Sequence, residues 1–229
     1  MIVMVAAVIN KTKGLILQTA HYKYDGKQID ASVSWVEKEL RSIQEKYKPT
    51  SIHPDGAEDG WGYISHLQLQ TCTHMNWGDY YYPTGGFLEE DQFETTALKL
   101  LRYWKESDVP LMESEPVHVT AFYQFGGKVQ RQRDPKKSAW PGNEKTRAIA
   151  VTWAGWKKPE EKDEVVKWVK EQWKDCYKDL QFGYLCAAAY DWKSKSHAKW
   201  IYGPNYEELV KVKKKYDPCN FFSHNVNIQ

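Results

Sequence analysis

VVKWVKEQWKDCYKDLQFGYLCAAA, residues 165–189, sets a helical pattern directly ahead of a strand-like one, and this juncture points to the fold class. Val165, Trp168, Val169, Gln172, Trp173, Cys176 and Leu180 recur at three- and four-residue spacing, which predicts an amphipathic helix within 159–180. Phe182 to Ala189 then predicts a strand.

The same two periods recur on either side. Upstream, Phe93, Leu98, Leu101 and Tyr103 or Trp104 predict a helix over 89–107, with acids at its start suiting the helix dipole. Val33, Val36, Leu40, Ile43 and Tyr47 predict another over 31–47, closed by Pro49. Strands are expected at 2–9 and 15–24, joined as a hairpin through Lys11 to Gly14, and at 63–75, 118–128 and 148–153. The aromatic stretch NWGDYYYPTGGF, 76–87, reads as a loop, and Asn205 to Tyr216 as a last helix. In that helix Leu209 and Val212 supply the side expected to be buried. This order does not follow a regular βαβ alternation, so the expected class is α+β: helices packed on one face of a mostly antiparallel sheet, in a single unit over 1–229.

Composition narrows the function classes. With 32 Lys plus Arg against 30 Asp plus Glu, the net charge of +2 gives no general attraction for nucleic acid. The run Lys211, Lys213, Lys214, Lys215 reads as a solvated helix face. MIVMVAAVIN at 1–10 is too short to span a bilayer and reads as a strand, so no membrane is expected as partner. The four cysteines (Cys72, Cys176, Cys186 and Cys219) form neither zinc-like close pairs nor a disulfide framework, which suits a reducing, cytoplasmic setting. His66 and His74 are eight residues apart, about 26 Å on an extended strand, too far to share an ion, and no metal is expected. Eleven Trp and 15 Tyr exceed what an ordinary core requires, so some rings are expected to line a pocket.

Three segments carry a family resemblance. WIYGPNYEELVKVKKKYDPCNFF (Trp200 to Phe222) resembles the tail of the berberine-bridge branch of FAD-linked oxidases, in which a Tyr-Gly-x-Asn-Tyr start and a Lys-Tyr-Asp-Pro-x-Asn-x-Phe end bracket a short helix. FYQFGGKVQR (Phe122 to Arg131) and FGYLCAAAYD (Phe182 to Asp191) are similar to further segments of that family, in the same order. The resemblance implies a substrate-side domain whose sheet faces the flavin, together with the C-terminal tail. The N-terminal flavin-binding part is expected to be missing, so no cofactor is expected in this chain. Where the family carries Tyr-x-Asn-Tyr, this chain reads Tyr184, Leu185, Cys186, Ala187, keeping only the first tyrosine.

Strand parity then nominates a site. If the helices cover the apolar side of the sheet, the opposite side carries His66, Gln68, Gln70, His118, Thr120, Phe122, Gln124, Tyr184 and Cys186. Tyr184, Gln124 and His118 are the expected catalytic groups and the others the expected substrate contacts, all as hydrogen-bonding or ring surfaces around a hydrophobic, oxygenated organic molecule. Cys186 is read as a buried thiol beside Ala187 to Ala189. Three functions compete: a flavin-independent cyclase, isomerase or Diels-Alder-type catalyst; an FAD-dependent oxidoreductase whose flavin domain comes from another chain; and a small-molecule binding protein. A homodimer is compatible with each.

Overall fold

The computed structural model describes residues 2–9, 12–19, 78–110, 112, 116–124, 134 and 141–229, together with Lys38, Ser42, Glu45 and Lys46. The contacts divide the chain into two compact units, 1–18 with 75–229 and 19–74, where the sequence reading takes 1–229 together. In the smaller unit, Lys38, Ser42, Glu45 and Lys46 are helical, inside the helix expected at 31–47. The strand expected at 63–75 lies outside the described residues, and His66, Gln68 and Gln70 with it.

The larger unit is α+β. Its strands are β1 (Ile2–Ile9), β2 (Thr12–Thr19), β3 (Tyr80–Glu89), β4 (His118–Gln124), β5 (Thr146–Trp156) and β6 (Phe182–Gly183). Its helices are α1 (Glu90–Glu106), α2 (Lys162–Trp173), α3 (Lys195–Tyr202) and α4 (Tyr206–Tyr216). Among the described residues the strands form one sheet in the order β2-β1-β4-β5-β3-β6. The pairs β1–β4, β4–β5, β5–β3 and β3–β6 are antiparallel.

Five elements depart from the sequence expectation. The stretch read as a loop at 76–87 is mostly β3, and its glycines are required by the sheet and not by a turn. A Cβ on Gly85 would lie 2.3 Å from the Ala150 carbonyl oxygen, and one on Gly86 would lie 2.3 Å from that of Phe182. Pro83 is tolerated because Gly85 and Phe87 turn their carbonyls toward Tyr184 and Gln181, on the β6 side. Pro83 shares that parity but lies beyond β6, so its missing N–H costs no ladder bond. The strand expected over 182–189 ends at Gly183 and becomes a 3-10 turn at Leu185–Ala187. The helix expected over 159–180 opens with a 3-10 turn at Pro159–Glu161, is α-helical only to Trp173, and is followed by a second such turn at Tyr177–Asp179. Helix α3 falls between the strand expected to 189 and the helix expected from Asn205, where no element was expected, and β2 begins at Thr12, inside the expected hairpin turn.

Helices α1 and α2 cover one face of the sheet. Leu100 and Trp104 of α1 and Val165, Trp168, Val169 and Trp173 of α2 are buried against Tyr82, Leu88, Phe122, Ala150 and Ala154 of the strands. Full burial of each large side chain contributes about 1.5–3 kcal/mol. Trp168 and Trp173 lie on the inward stripe, as their spacing in the sequence requires. The other parity of the same strands forms a second buried cluster: Phe87, Val117, Val119, Ala121, Ile149 and Val151. Both faces of β4 and β5 are therefore apolar, the pattern of central strands. Among the described residues, no helix is long and apolar enough to cross a membrane.

Candidate functional site

The structure reverses the expected parity of β4. His118, Thr120 and Phe122 face the helices and are fully buried there. Phe122 meets Phe93 of α1 edge to face at 6.2 Å. Gln124 shares their parity at the half-buried end of the strand. The physical reason is that α1 and α2 bring polar partners of their own into the interface. Trp104 Nε1 and Gln172 Nε2 donate to Thr120 Oγ1 at 2.6 and 3.0 Å. Trp173 Nε1 donates to Thr152 Oγ1 at 2.8 Å, and Thr152 Oγ1 donates to Gln172 Oε1 at 3.0 Å. The two threonine hydroxyls bond each other at 2.8 Å, and since Thr152 gives its proton to Gln172, Thr120 is the donor. Each hydroxyl thus donates once and accepts twice, its full capacity. The polar residues of β4 fasten helices to sheet.

His118 belongs to the same layer. Its Nε2 donates to the Pro110 carbonyl at 2.9 Å, its ring lies 5.8 Å from that of Trp168, and its Nδ1 is buried with no hydrogen-bond partner among the described residues. Burial pushes its pKa below the ordinary value, outweighing the Pro110 hydrogen bond that favours the charged form. Because the folded value is depressed, the unfolded chain binds the proton more readily. Stability is complete above the unfolded value of about 6.5 and falls as the pH drops below it. Urea melts between pH 7.5 and 5 should show this loss, and His118→Gln, which keeps a donor for Pro110, should flatten it.

Tyr184 is placed on the opposite face. Its backbone N–H donates to the Gly85 carbonyl at 3.0 Å, fixing it where β6 ends, and its ring stands edge-on to Phe87 at 5.6 Å. Phe87, Val119, Ala121, Ile149 and Val151 form the floor of this face, with Tyr123, Trp153, Phe182 and Tyr184 packed against it and half-buried. The Tyr123 and Trp153 rings meet edge-on at 6.5 Å. Burial, reinforced by a hydrogen bond with the Cys186 side chain, pushes the Tyr184 phenol well above the ordinary tyrosine range. At neutral pH it is a proton-bearing donor. Cys186 stands on the 3-10 turn and is exposed, correcting its reading as a buried thiol. The signal for this face was present in the sequence: Val119, Ala121, Tyr123 and Ile149, Val151, Trp153 are apolar or aromatic on the parity set aside for the core.

A shallow cleft of about 500 Å³ is lined by Tyr80, Tyr81, Trp156, Lys162 and Tyr190, with Lys162 Nζ 5.1 Å above the Tyr190 ring. Among the described residues, no three His, Cys, Asp or Glu side chains are grouped to hold a metal ion.

Residues 156–229 match the family model described as Berberine and berberine like. The whole chain also superposes on solved structures of that kind. Berberine bridge enzyme from Eschscholzia californica is 16% identical with a TM-score of 0.68, over 99% of this chain and 48% of the enzyme. GilR, an oxidoreductase that catalyzes the terminal step of gilvocarcin biosynthesis, is 15% identical with a TM-score of 0.67, over 100% of this chain and 48% of that one. A glycopeptide hexose oxidase complexed with teicoplanin is 18% identical with a TM-score of 0.65, over 100% and 47%. The chain spans about half the length of these structures, and at such identities the likeness is one of fold. No curated protein sequence matches the chain.

The berberine-like fold raises the question of FAD. Tyr123, Trp153 and Tyr184 stand half-buried against a floor that is itself buried. The diphosphate is another matter. The first turns of α1, α2 and α4 carry Glu90 and Asp91, Asp163 and Glu164, and Glu207 and Glu208, which repel an anion where a helix N-terminus would otherwise attract it. The first turn of α3, by contrast, carries no acid.

Proposed function

We propose that the chain is the substrate-side unit of an FAD-linked oxidoreductase acting on a hydrophobic, oxygenated organic molecule, with the flavin phosphates held by a separate flavin-binding unit. The observation that carries this reading is the aromatic sheet face ending at Tyr184, on a chain whose residues 156–229 match the berberine-like model. FAD, when bound, supplies the hydride acceptor for such a reaction. The chain's own residues bind and orient. Phe87, Val119, Ala121 and Val151 provide the apolar floor, Tyr123 and Trp153 the rings that flank a planar substrate, and Tyr184 the hydroxyl that donates to a substrate oxygen. A donor aimed at an oxygen that gains charge in the transition state contributes more there than in the ground state.

A second reading, cyclisation or cycloaddition without flavin, uses the same Tyr184 hydroxyl to polarise a carbonyl without a redox partner. Lumiflavin, which has the ring and lacks the phosphates, separates the two. Under the oxidoreductase reading it quenches tryptophan fluorescence saturably, the quenching shrinks in Trp153→Phe, and FAD binds no more tightly than lumiflavin. Absence of saturable binding, with turnover of a reactive polyene by flavin-free protein, would transfer the assignment to the second reading.

A further inference from the structure

The shallow cleft at the start of α2 is built from groups that the sheet and its turns hold in place. Asp79, Tyr80, Trp156, Pro159, Lys162 and Tyr190 line it. The Tyr80 and Trp156 rings stack at 6.0 Å. The Tyr190 ring stands edge-on to Tyr82 at 5.4 Å, and the Tyr82 hydroxyl donates to Asp191 Oδ1 at 3.0 Å, while Lys170 Nζ holds Asp191 Oδ2 at 2.7 Å. Gly78 lies so close to Trp156 that a Cβ would fall 2.5 Å from its carbonyl oxygen, which also accepts the Asp79 N–H at 3.0 Å. Buried Glu161 accepts the N–H groups of Lys157 and Lys158 at 3.1 and 3.0 Å, and so fixes the turn that leads through Pro159 into Lys162. Walls fixed before a ligand arrives cost little further ordering on binding.

The fold itself makes no use of the charges in this cleft. Lys162 opens α2, where the helix dipole disfavours a cation, and among the described residues no carboxylate pairs with it. The Asp79 side chain likewise has no hydrogen-bond partner among the described residues. Tyr80 and Tyr190 are 53% and 41% exposed, so they are among the rings that the core does not consume. The cleft lies with Tyr82 and Trp156 on the helix-covered side of the sheet, whereas the flavin-binding unit proposed above is assigned to the other side, where Tyr184 stands.

We propose that this cleft binds a neutral, hydroxylated aromatic molecule, at a site separate from the face of Tyr184. The tyrosine rings accept a flat aromatic body, and about 500 Å³ is the size of a small-molecule pocket. The two charges then select among such molecules. An anion loses against Asp79 what it gains from Lys162, and a cation the reverse. Phenolic hydroxyls satisfy both, since they donate to the Asp79 carboxylate and accept from the Lys162 ammonium. The site is independent of the activity proposed for the opposite face.

Calorimetric titration with a naphthalene bearing adjacent hydroxyls tests it. The diol should bind saturably, and its dimethyl ether, which keeps the rings and donates nothing, should bind about tenfold more weakly. Asp79→Ala and Lys162→Met should each weaken the diol about tenfold, since each removes a hydrogen bond to a charged group. Both side chains are exposed, and Asp79→Ala keeps the backbone bond to Trp156, so the melting temperatures should stay at the wild-type value and report that the variants fold. Lumiflavin, the probe of the Tyr184 face, should bind both variants as it binds the wild type, and Trp153→Phe should leave the affinity for the diol unchanged. Naphthoate or naphthyltrimethylammonium binding more tightly than the diol would overturn the proposal by showing a site selective for charge. Absence of diol binding would do the same, as would an affinity that falls in Trp153→Phe and holds in the Asp79 and Lys162 variants, which would put the diol on the opposite face.

Discussion

Replacing Gln172 by leucine should destabilise the fold by about 3 kcal/mol, the largest stability effect expected of a near-isosteric change in this chain. Gln172 is buried, accepts from Thr152 Oγ1 and donates to Thr120 Oγ1, and so closes the network that ties α1 and α2 to β4 and β5. Leucine fills similar volume but leaves the Thr152 hydroxyl without its acceptor and Thr120 without one donor. A buried polar group left unsatisfied costs about 1–3 kcal/mol, and here two are affected in one network. Chemical denaturation is the measurement. A loss under about 1 kcal/mol would mean that the hydroxyls turn to other partners. Thr120→Val together with Gln172→Leu should recover part of the loss, because removing both partners costs less than orphaning one.

Removing the Tyr184 hydroxyl should lower turnover of the substrate about a hundredfold while leaving the fold intact. Tyr184→Phe keeps the ring against Phe87 and the backbone bond to Gly85, so the end of β6 stays in place and the melting temperature should hardly move. What goes is one neutral donor and its bond with the exposed Cys186 side chain; such a donor is worth about 2.7–4 kcal/mol when it acts on developing charge in a dry site. The loss should appear in kcat, with KM little changed. A variant that turns over at the wild-type rate would remove Tyr184 from the chemistry and leave it as part of the aromatic floor.

The two experiments probe opposite faces of one sheet, and the sequence distinguishes those faces poorly. Thr120 and Val119 read as polar and apolar, and alternation sends the apolar one toward the helices. In the fold Thr120 is the helix-facing residue, because Trp104, Gln172 and Trp173 meet it with hydrogen-bonding groups that no single strand's pattern reveals. Tyr184 is nominated from its own segment and lies on the ring-bearing face, whereas Tyr123 and Trp153 are passed over because aromatic residues on a central strand resemble core. The tail motif at 200–222, by contrast, is legible at once, and residues 156–229 are the part that matches the family model.

Local signals were sufficient for α1 and α4 and for the inward stripe of α2, though not for its ends, because a 3.6-residue period is a property of contiguous sequence, and for the antiparallel α+β class that follows from their order. They were insufficient for β3. Its Pro83, Gly85 and Gly86 look like a turn, and only the approach of Ala150 and Phe182 within 2.3 Å of where side chains would stand makes a glycine strand the stable choice. Which side of each strand meets the helices was likewise settled by tertiary contact. Burial is a property of what a side chain touches, and a buried threonine next to an indole N–H is as well placed as a valine next to a leucine.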